Sequence, residues 1–230
     1  MKHLDGSAYF DDAQEVGVSV GATSIASNSY SRYAKRVLDL LIAIALVPII
    51  APVIAVLWVL VRREGGPGFF GHNRVGRDGQ MFKCWKIRTM VPDAEQKLKE
   101  YLDANPAAAQ EWRENFKLEN DPRITRLGAF LRKSSLDELP QLWNVFKGEM
   151  SFVGPRPVTR DELAMYAGYE DAYLSQRPGI TGLWQVSGRN DISYRQRVAL
   201  DVQYASHASM LWDLSLMVKT GLSILRMTGR

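Results

Sequence analysis

Between Leu40 and Val61 the chain carries no charged residue: LLIAIALVPIIAPVIAVLWVLV is an apolar run of 22 residues. At about 1.5 Å of rise per residue, a helix of that length reaches across the hydrocarbon core of a bilayer. The alternative is a buried core helix, but few soluble helices are apolar on every face over such a length. The segment is therefore read as membrane-embedded. Lys35 and Arg36 precede it and Arg62 and Arg63 follow it, so basic flanks of similar strength give no orientation bias to a span. Pro48 and Pro52 sit mid-segment, where each removes a backbone donor and displaces the carbonyl four residues earlier. A kinked spanning helix is one arrangement open to such a sequence. A bent hairpin that enters and leaves the same leaflet is the other, and it suits the matched flanks better. Asp39, at the edge of the run, needs a partner in this setting, and Arg36 three residues earlier on the same face is the natural one.

The chain as a whole, with 46% apolar and 10% aromatic residues among 230, has the composition of one domain of ordinary size or one domain plus a small appendage. The one cysteine, Cys84, excludes a disulfide framework and any multi-thiolate metal site. Lys and Arg number 29 against 25 Asp and Glu. Residues 1–30 hold one Lys against Asp5, Asp11, Asp12 and Glu15, so an acidic tail precedes a body more basic than the total suggests. Such a body suits an anionic partner: nucleic acid, phosphorylated metabolite or lipid headgroup. The tail has no helical or alternating period and is expected to be disordered. The organisation expected is a tail over 1–30, a membrane helix over 31–63 and a catalytic domain over 64–230.

Within that domain, Gly76-Arg77-Asp78-Gly79 reads as the turn of a β-hairpin. Residues 93–119 show a helical pattern broken at Pro106, and a further helix is expected over 159–174. From Ser134, Leu139, Leu142, Trp143 and Phe146 repeat at helical spacing. Met210 to Arg226 repeats large apolar residues, as expected of a helix packed on a core or lying in a membrane interface.

The segment LRKSSLDELPQLWNVFKGEMSFVGPRP concentrates the chemistry. Ser135-Leu136-Asp137-Glu138 matches a capping box, in which the carboxylates only stabilise a helix start. The functional reading is that Asp137 and Glu138, with Arg132 and Lys133 beside them, bind Mg²⁺ and a phosphate together. Arginines also recur on Gly/Pro turns: Arg74, Arg77, Arg156, Arg177 and Arg189. An arginine fixed on a rigid loop suits bidentate recognition of phosphate. His3, His72 and His207 lack zinc spacing, no P-loop or GxSxG pattern is present, and no GxGxxG follows a strand.

From about Ser31 onward the chain resembles the bacterial polyprenyl-phosphate phosphoglycosyl transferases, the monotopic sugar transferases that start exopolysaccharide, O-antigen and glycoprotein glycan assembly. The resemblance rests on KRVLDLL, FGHNRVGRDGQMFKCWKIRTM, LGAFLRKSSLDELPQLWNVFKGEMSFVGPRP, RPGITGLWQVSGRN and LDVQY. Its compact form with one membrane segment looks like the exopolysaccharide-production branch. The resemblance implies a helix-rich α/β fold, monotopic in the bacterial inner membrane. It has a Pro-broken re-entrant helical hairpin, interfacial amphipathic helices including the C-terminal one, and a small cytoplasmic catalytic domain containing a β-hairpin. Where relatives have Ser-Pro at the break, this chain has Ala51-Pro52, with Pro48 as a second bend.

The implied reaction transfers a sugar-1-phosphate from a UDP-sugar to undecaprenyl phosphate through a phosphosugar-aspartyl intermediate, releasing UMP. Asp137 matches the nucleophile and Glu138 its partner carboxylate, and the two together match a Mg²⁺ site. Arg132, Arg156 and Arg189 match arginines near phosphate and nucleotide, with Pro155 and Pro157 shaping the loop. Asp39, Arg36 and Asp201 match family positions and are read as structural first. Galactose is the first choice of sugar from the branch alone. A one-step transfer through a ternary complex is the competing mechanism. A membrane-anchored adaptor binding phosphate-rich polymers is the competing class, and it leaves the acidic pair unexplained; nucleic acid is accordingly not expected as a partner. The oligomeric state is left open, a homo-oligomer included.

Overall fold

The structure, a computed structural model, describes residues 30–115, 118–187 and 192–225; the acidic tail falls outside them. After a π-helical turn at Tyr30–Ala34 the order is α1 (Lys35–Arg63), β1 (Phe69–Val75), β2 (Met81–Ile87), α2 (Ala94–Ala104), α3 (Pro106–Asn115), α4 (Arg126–Ser134), a 3₁₀ turn (Leu136–Glu138), α5 (Gln141–Lys147), β3 (Ser151–Val153), α6 (Arg160–Ala164), α7 (Glu170–Leu174), β4 (Gly179–Thr181), α8 (Leu183–Ser187), α9 (Tyr194–His207) and α10 (Met210–Leu225).

The apolar run forms α1, a single helix long and apolar enough to cross a membrane. It is not a core helix: Leu41, Ile44, Ile49 and Val56 are each about 60% exposed. Helical structure continues through Pro48 and Pro52, so no non-helical residue separates the two arms expected on either side of the prolines. Its neighbours in sequence hold the other ladder bonds, so losing the two proline donors does not end it.

The described chain gathers into two compact units, whose boundary in α1 falls between Pro48 and Ile49. One unit comprises residues 30–48, 71–85 and 141–225. Here β3 and β4 pair in parallel, Ser151 opposite Gly179 and Val153 opposite Thr181. Gly154 and Gly179 approach so closely that a Cβ on Gly179 would lie 2.2 Å from the Gly154 nitrogen. Tyr166, Tyr173, Val75, Val158 and Val198 form one core, and Val153, Tyr204, Ala208 and Leu216 another. Leu216 is fully buried while Leu211, Val218 and Leu222 on the same helix are mostly exposed, so α10 packs on the core with one face and leaves an apolar face uncovered.

The base of α1 is held in this unit by a buried polar network. The Lys35 ammonium donates to the Tyr204 hydroxyl at 3.0 Å and to the Asp213 carboxylate, which also accepts from the hydroxyls of Tyr204 and Tyr30 at 2.6 Å. Asp39 does not pair with Arg36. Its Oδ1 accepts from Ser151 Oγ and the Phe152 N–H, both at 3.0 Å, whereas Arg36 donates to the carbonyls of Val145 and Phe146 at the end of α5. A guanidinium at a helix C-terminus meets unsatisfied carbonyls and a negative dipole end, which compete for it with a single side chain.

The other unit comprises residues 49–70 and 86–140. Its core joins Leu57 and Val61, near the end of α1, to Ile87 and Leu131, with Leu127, Leu136 and Leu139 packed around them. Pro106 begins α3, where its missing N–H would have no helical partner anyway.

Elsewhere the hairpin forms as β1 and β2, with Arg77–Gly79 as a 3₁₀ turn and Asp78 at φ 55°. The single helix expected over 159–174 is instead α6 and α7, separated where Ala167 and Gly168 adopt positive φ.

Candidate active site

The acidic pair owes its position to how α4 starts and stops. Thr125 caps the start, its hydroxyl accepting the Gly128 N–H at 2.9 Å. Gly128 then lies directly against the Thr89 backbone: a Cβ there would sit 2.0 Å from the Thr89 carbonyl oxygen. That same carbonyl accepts the Thr125 N–H at 3.1 Å, and the Thr89 hydroxyl accepts from Arg132 Nε at 2.9 Å.

At the far end Ser135 takes a left-handed conformation, φ 58°, and its N–H returns to the carbonyls of Arg132 and Leu131. The expected capping box is therefore not formed. Ser135 closes the preceding helix instead of opening a new one, and a capping side chain needs extended backbone. The chain re-coils at once into the 3₁₀ turn Leu136–Glu138, while Leu136 and Leu139 anchor in the apolar core around Leu131. This turn carries Asp137, buried, and Glu138, half-buried.

Lys86, at the end of β2, reaches both carboxylates: its ammonium lies 2.6 Å from Glu138 Oε1 and 3.6 Å from Asp137 Oδ2. Burial pushes the Asp137 carboxyl above the ordinary carboxylate range, with Lys86 and Arg132 pulling it down and Glu138 adding to the rise. Asp137 is thus a carboxylate stripped of most of its water, kept in place by cations. The half-buried Arg132 guanidinium feels Asp137 and Asp121, the latter held by Arg123 through two hydrogen bonds of 2.8 and 2.6 Å.

Asp137, Glu138 and Arg132 thus come together in one unit. Pro155, Arg156 and Pro157 belong to the other, where Arg156 is exposed and Pro155 buried. The Pro155 carbonyl accepts the Gly179 N–H at 2.8 Å, which fixes the loop beside β4. Arg189 lies outside the described residues. Three further turn arginines have structural partners: Arg74 pairs with Glu162 at 2.7 Å, Arg77 with Asp78 at 3.6 Å, and Arg177 donates to the Gly148 carbonyl at 2.9 Å. Position on a Gly/Pro turn does not by itself free an arginine for a ligand.

Lys86 and Thr89 escape sequence reading because pairing residue 86 with 137 and 138 is a tertiary event without a spacing. Among the described residues no group of three or more His, Cys, Asp and Glu side chains is placed to hold a metal. Two adjacent carboxylates do fit Mg²⁺, which commonly takes one or two carboxylates and fills its octahedron with water and substrate phosphate.

A long exposed apolar helix, a carboxylate pair gripped by a lysine beside an arginine, and a second arginine on a glycine–proline loop define a membrane-type protein suited to phosphorylated ligands. The chain belongs to the bacterial sugar transferase family, whose model matches residues 30–227. It is 50% identical over 199 residues to the undecaprenyl-phosphate galactose phosphotransferase of Salmonella typhimurium, covering 86% of this chain and 42% of that protein. It is 49% identical over 217 residues to the UDP-galactose-lipid carrier transferase of Erwinia amylovora, covering 94% of this chain and 45% of that protein. The exopolysaccharide production protein ExoY of Sinorhizobium fredii is 51% identical over 187 residues, covering 81% of this chain and 83% of that protein. The chain thus spans less than half of the first two relatives and most of the third.

Proposed function

We propose that this protein transfers a sugar-1-phosphate from a UDP-sugar to undecaprenyl phosphate at the cytoplasmic face of the bacterial inner membrane, opening the assembly of an exopolysaccharide or related glycan. The observation that carries the reading is the buried Asp137 beside Glu138, Lys86 and Arg132, in a chain half identical to transferases named for undecaprenyl phosphate and galactose. Asp137 attacks the sugar-bearing phosphorus of the UDP-sugar; the bond from that phosphorus to the bridging oxygen breaks, and UMP leaves with the bond's electrons. The lipid phosphate oxygen then attacks the same phosphorus, and the Asp137 carboxylate departs unchanged. Lys86 keeps Asp137 ionised and aligned, and Arg132 presents its fork to phosphoryl oxygens. Asp137 and Glu138 would hold Mg²⁺, which when bound neutralises diphosphate charge.

α1 is proposed to enter and leave the same leaflet. Its base is bonded to Tyr204 and Asp213, and its end packs on Ile87 and Leu131, all of them later in the chain. Basic residues flank it at both ends, and Pro48 and Pro52 lie at its middle, where each removes a ladder donor and favours a bend. The uncovered face of α10 is proposed to rest in the same interface.

The test is UMP release by detergent-purified protein with Mg²⁺, undecaprenyl phosphate and a panel of UDP-sugars, beside Asp137→Asn. Release with UDP-galactose or a close relative, abolished in the variant, is expected; full activity of Asp137→Asn would end the reading. Exchange of labelled UMP into UDP-sugar without lipid separates the two-step route from a ternary complex.

A further inference from the structure

The helix α9 carries an arginine that no turn or motif signals. The Arg197 guanidinium lies 4.4 Å from the centre of the Trp184 ring and 5.5 Å from that of Tyr194, while the Arg156 guanidinium lies 5.6 Å from the same Trp184 ring. Two cations therefore share one indole, and burial first, then the Arg156 charge, lowers the hold of Arg197 on its proton. Stacking occupies the face of a guanidinium and leaves its N–H edge for an acceptor.

The usual acceptor is missing. Among the described residues neither Arg156 nor Arg197 has a carboxylate within ion-pair distance, and the enclosed Arg197 Nε and Trp184 Nε1 have no hydrogen-bond partner. Of the nearby acids, Glu162 accepts from Arg74 at 2.7 Å and from the Thr159 N–H, while Asp201 accepts the Tyr166 hydroxyl through Oδ2 at 2.8 Å and keeps its buried Oδ1 without a hydrogen-bond partner. Asp201 is buried and pushed up to about 7, so near neutral pH it offsets only part of one positive charge. Three guanidiniums, those of Arg74, Arg156 and Arg197, thus face one firmly ionised carboxylate, that of Glu162. An unsatisfied buried donor is expensive to keep, and a ligand acceptor removes that cost.

We infer that Arg197, stacked on Trp184 and working with Arg156, forms a binding site for a phosphate group. The site is read from the cluster itself; that its ligand is a substrate of the transferase rests on the function proposed above. The group comes either from the diphosphate of the nucleotide sugar or from the lipid phosphate, and the two are separable.

The experiment measures equilibrium binding of UDP, and separately of undecaprenyl phosphate in detergent micelles, to the full chain with Arg197→Gln and Arg156→Gln, each variant's melting temperature being recorded. A charge-assisted phosphate contact predicts weakening of one probe by at least about tenfold in both variants. Loss confined to UDP assigns the nucleotide diphosphate, and loss confined to the lipid assigns its phosphate. Arg197→Lys, which keeps the charge and loses the planar fork, is expected to recover part of the loss and stands in if Arg197→Gln does not fold. Unchanged affinity for both probes, whatever the melting temperature does, overturns the site, because a merely structural arginine moves stability alone. UMP release by the unaltered chain is scored independently, so absence of turnover with arginine-dependent binding rejects the reaction and keeps the site.

Discussion

Gly128→Ala sets two physical effects against each other at the point where α4 meets the backbone of Thr89. Helix propensity alone makes alanine the better residue in a helix by about 1 kcal/mol. The added Cβ, however, falls 2.0 Å from the Thr89 carbonyl oxygen and 2.7 Å from its carbon, both of them backbone atoms that no rotamer change can move. Restoring an ordinary contact of about 3.3 Å requires α4 and the Thr89 segment to part by roughly 1.3 Å, and overpacking of this kind costs about 1–3 kcal/mol. The same displacement loosens the Thr125 N–H bond to Thr89 and the Arg132 bond to the Thr89 hydroxyl, at about 1 kcal/mol each. The net is a destabilisation of about 2–4 kcal/mol, with Arg132 and the Asp137 turn carried out of register. Misplacement by about 1 Å lowers turnover roughly a hundredfold. Gly221→Ala in α10 is the control: nothing lies within 4 Å of its Cβ, so propensity acts unopposed and stability should rise slightly. Thermal melting and UMP release in one detergent read both variants. A Gly128→Ala protein as stable and active as the original would refute the close approach as the reason for glycine.

Lys86→Met removes the cation nearest Asp137, so its carboxyl rises further; the acidic limb of the pH–rate profile should move to higher pH, and an unmoved limb would show that Lys86 does not tune Asp137. Asp137→Asn should melt no lower than the original at alkaline pH. Because the folded state holds the Asp137 proton more tightly than the unfolded chain, its contribution falls as pH rises from the ordinary carboxylate value through the raised one, and the variant escapes that loss. Melting curves across pH check this, and a variant that loses ground to the original as pH rises contradicts it. Leu131→Ala, fully buried in the core beneath the turn, should cost about 2–5 kcal/mol and reduce activity with it, as denaturation and turnover will show.

Features governed by local composition were legible without coordinates. The uncharged run became α1, the glycine-bracketed turn became the hairpin, and Pro106 divided the charged stretch at the residue expected. What escaped depended on the residue's role in its neighbour's structure. Ser135 satisfies the pattern of a helix start, yet α4, unread in the sequence, uses it as a helix end. Arg36 had a plausible acid at the right spacing and went to backbone carbonyls brought to it from over a hundred residues away. The acidic pair could be picked out, but the lysine that grips it could not, since β2 and the turn are brought together by tertiary packing around Ile87 and Leu131.

The network at the base of α1 has a consequence in time. Lys35 leaves the ribosome 178 residues before Asp213, its buried partner. At synthesis rates of about 5–20 residues per second, that is an interval of roughly ten to forty seconds. Throughout it, the apolar helix is already made while the ammonium at its foot has Asp39, one turn on, as a neighbouring charge but lacks the carboxylate that accepts its hydrogen bond. The helix base can therefore be sealed only once Asp213, in α10, has been made. A product ending short of Asp213 would carry all of Asp137, Glu138, Lys86 and Arg132 and still keep an open base.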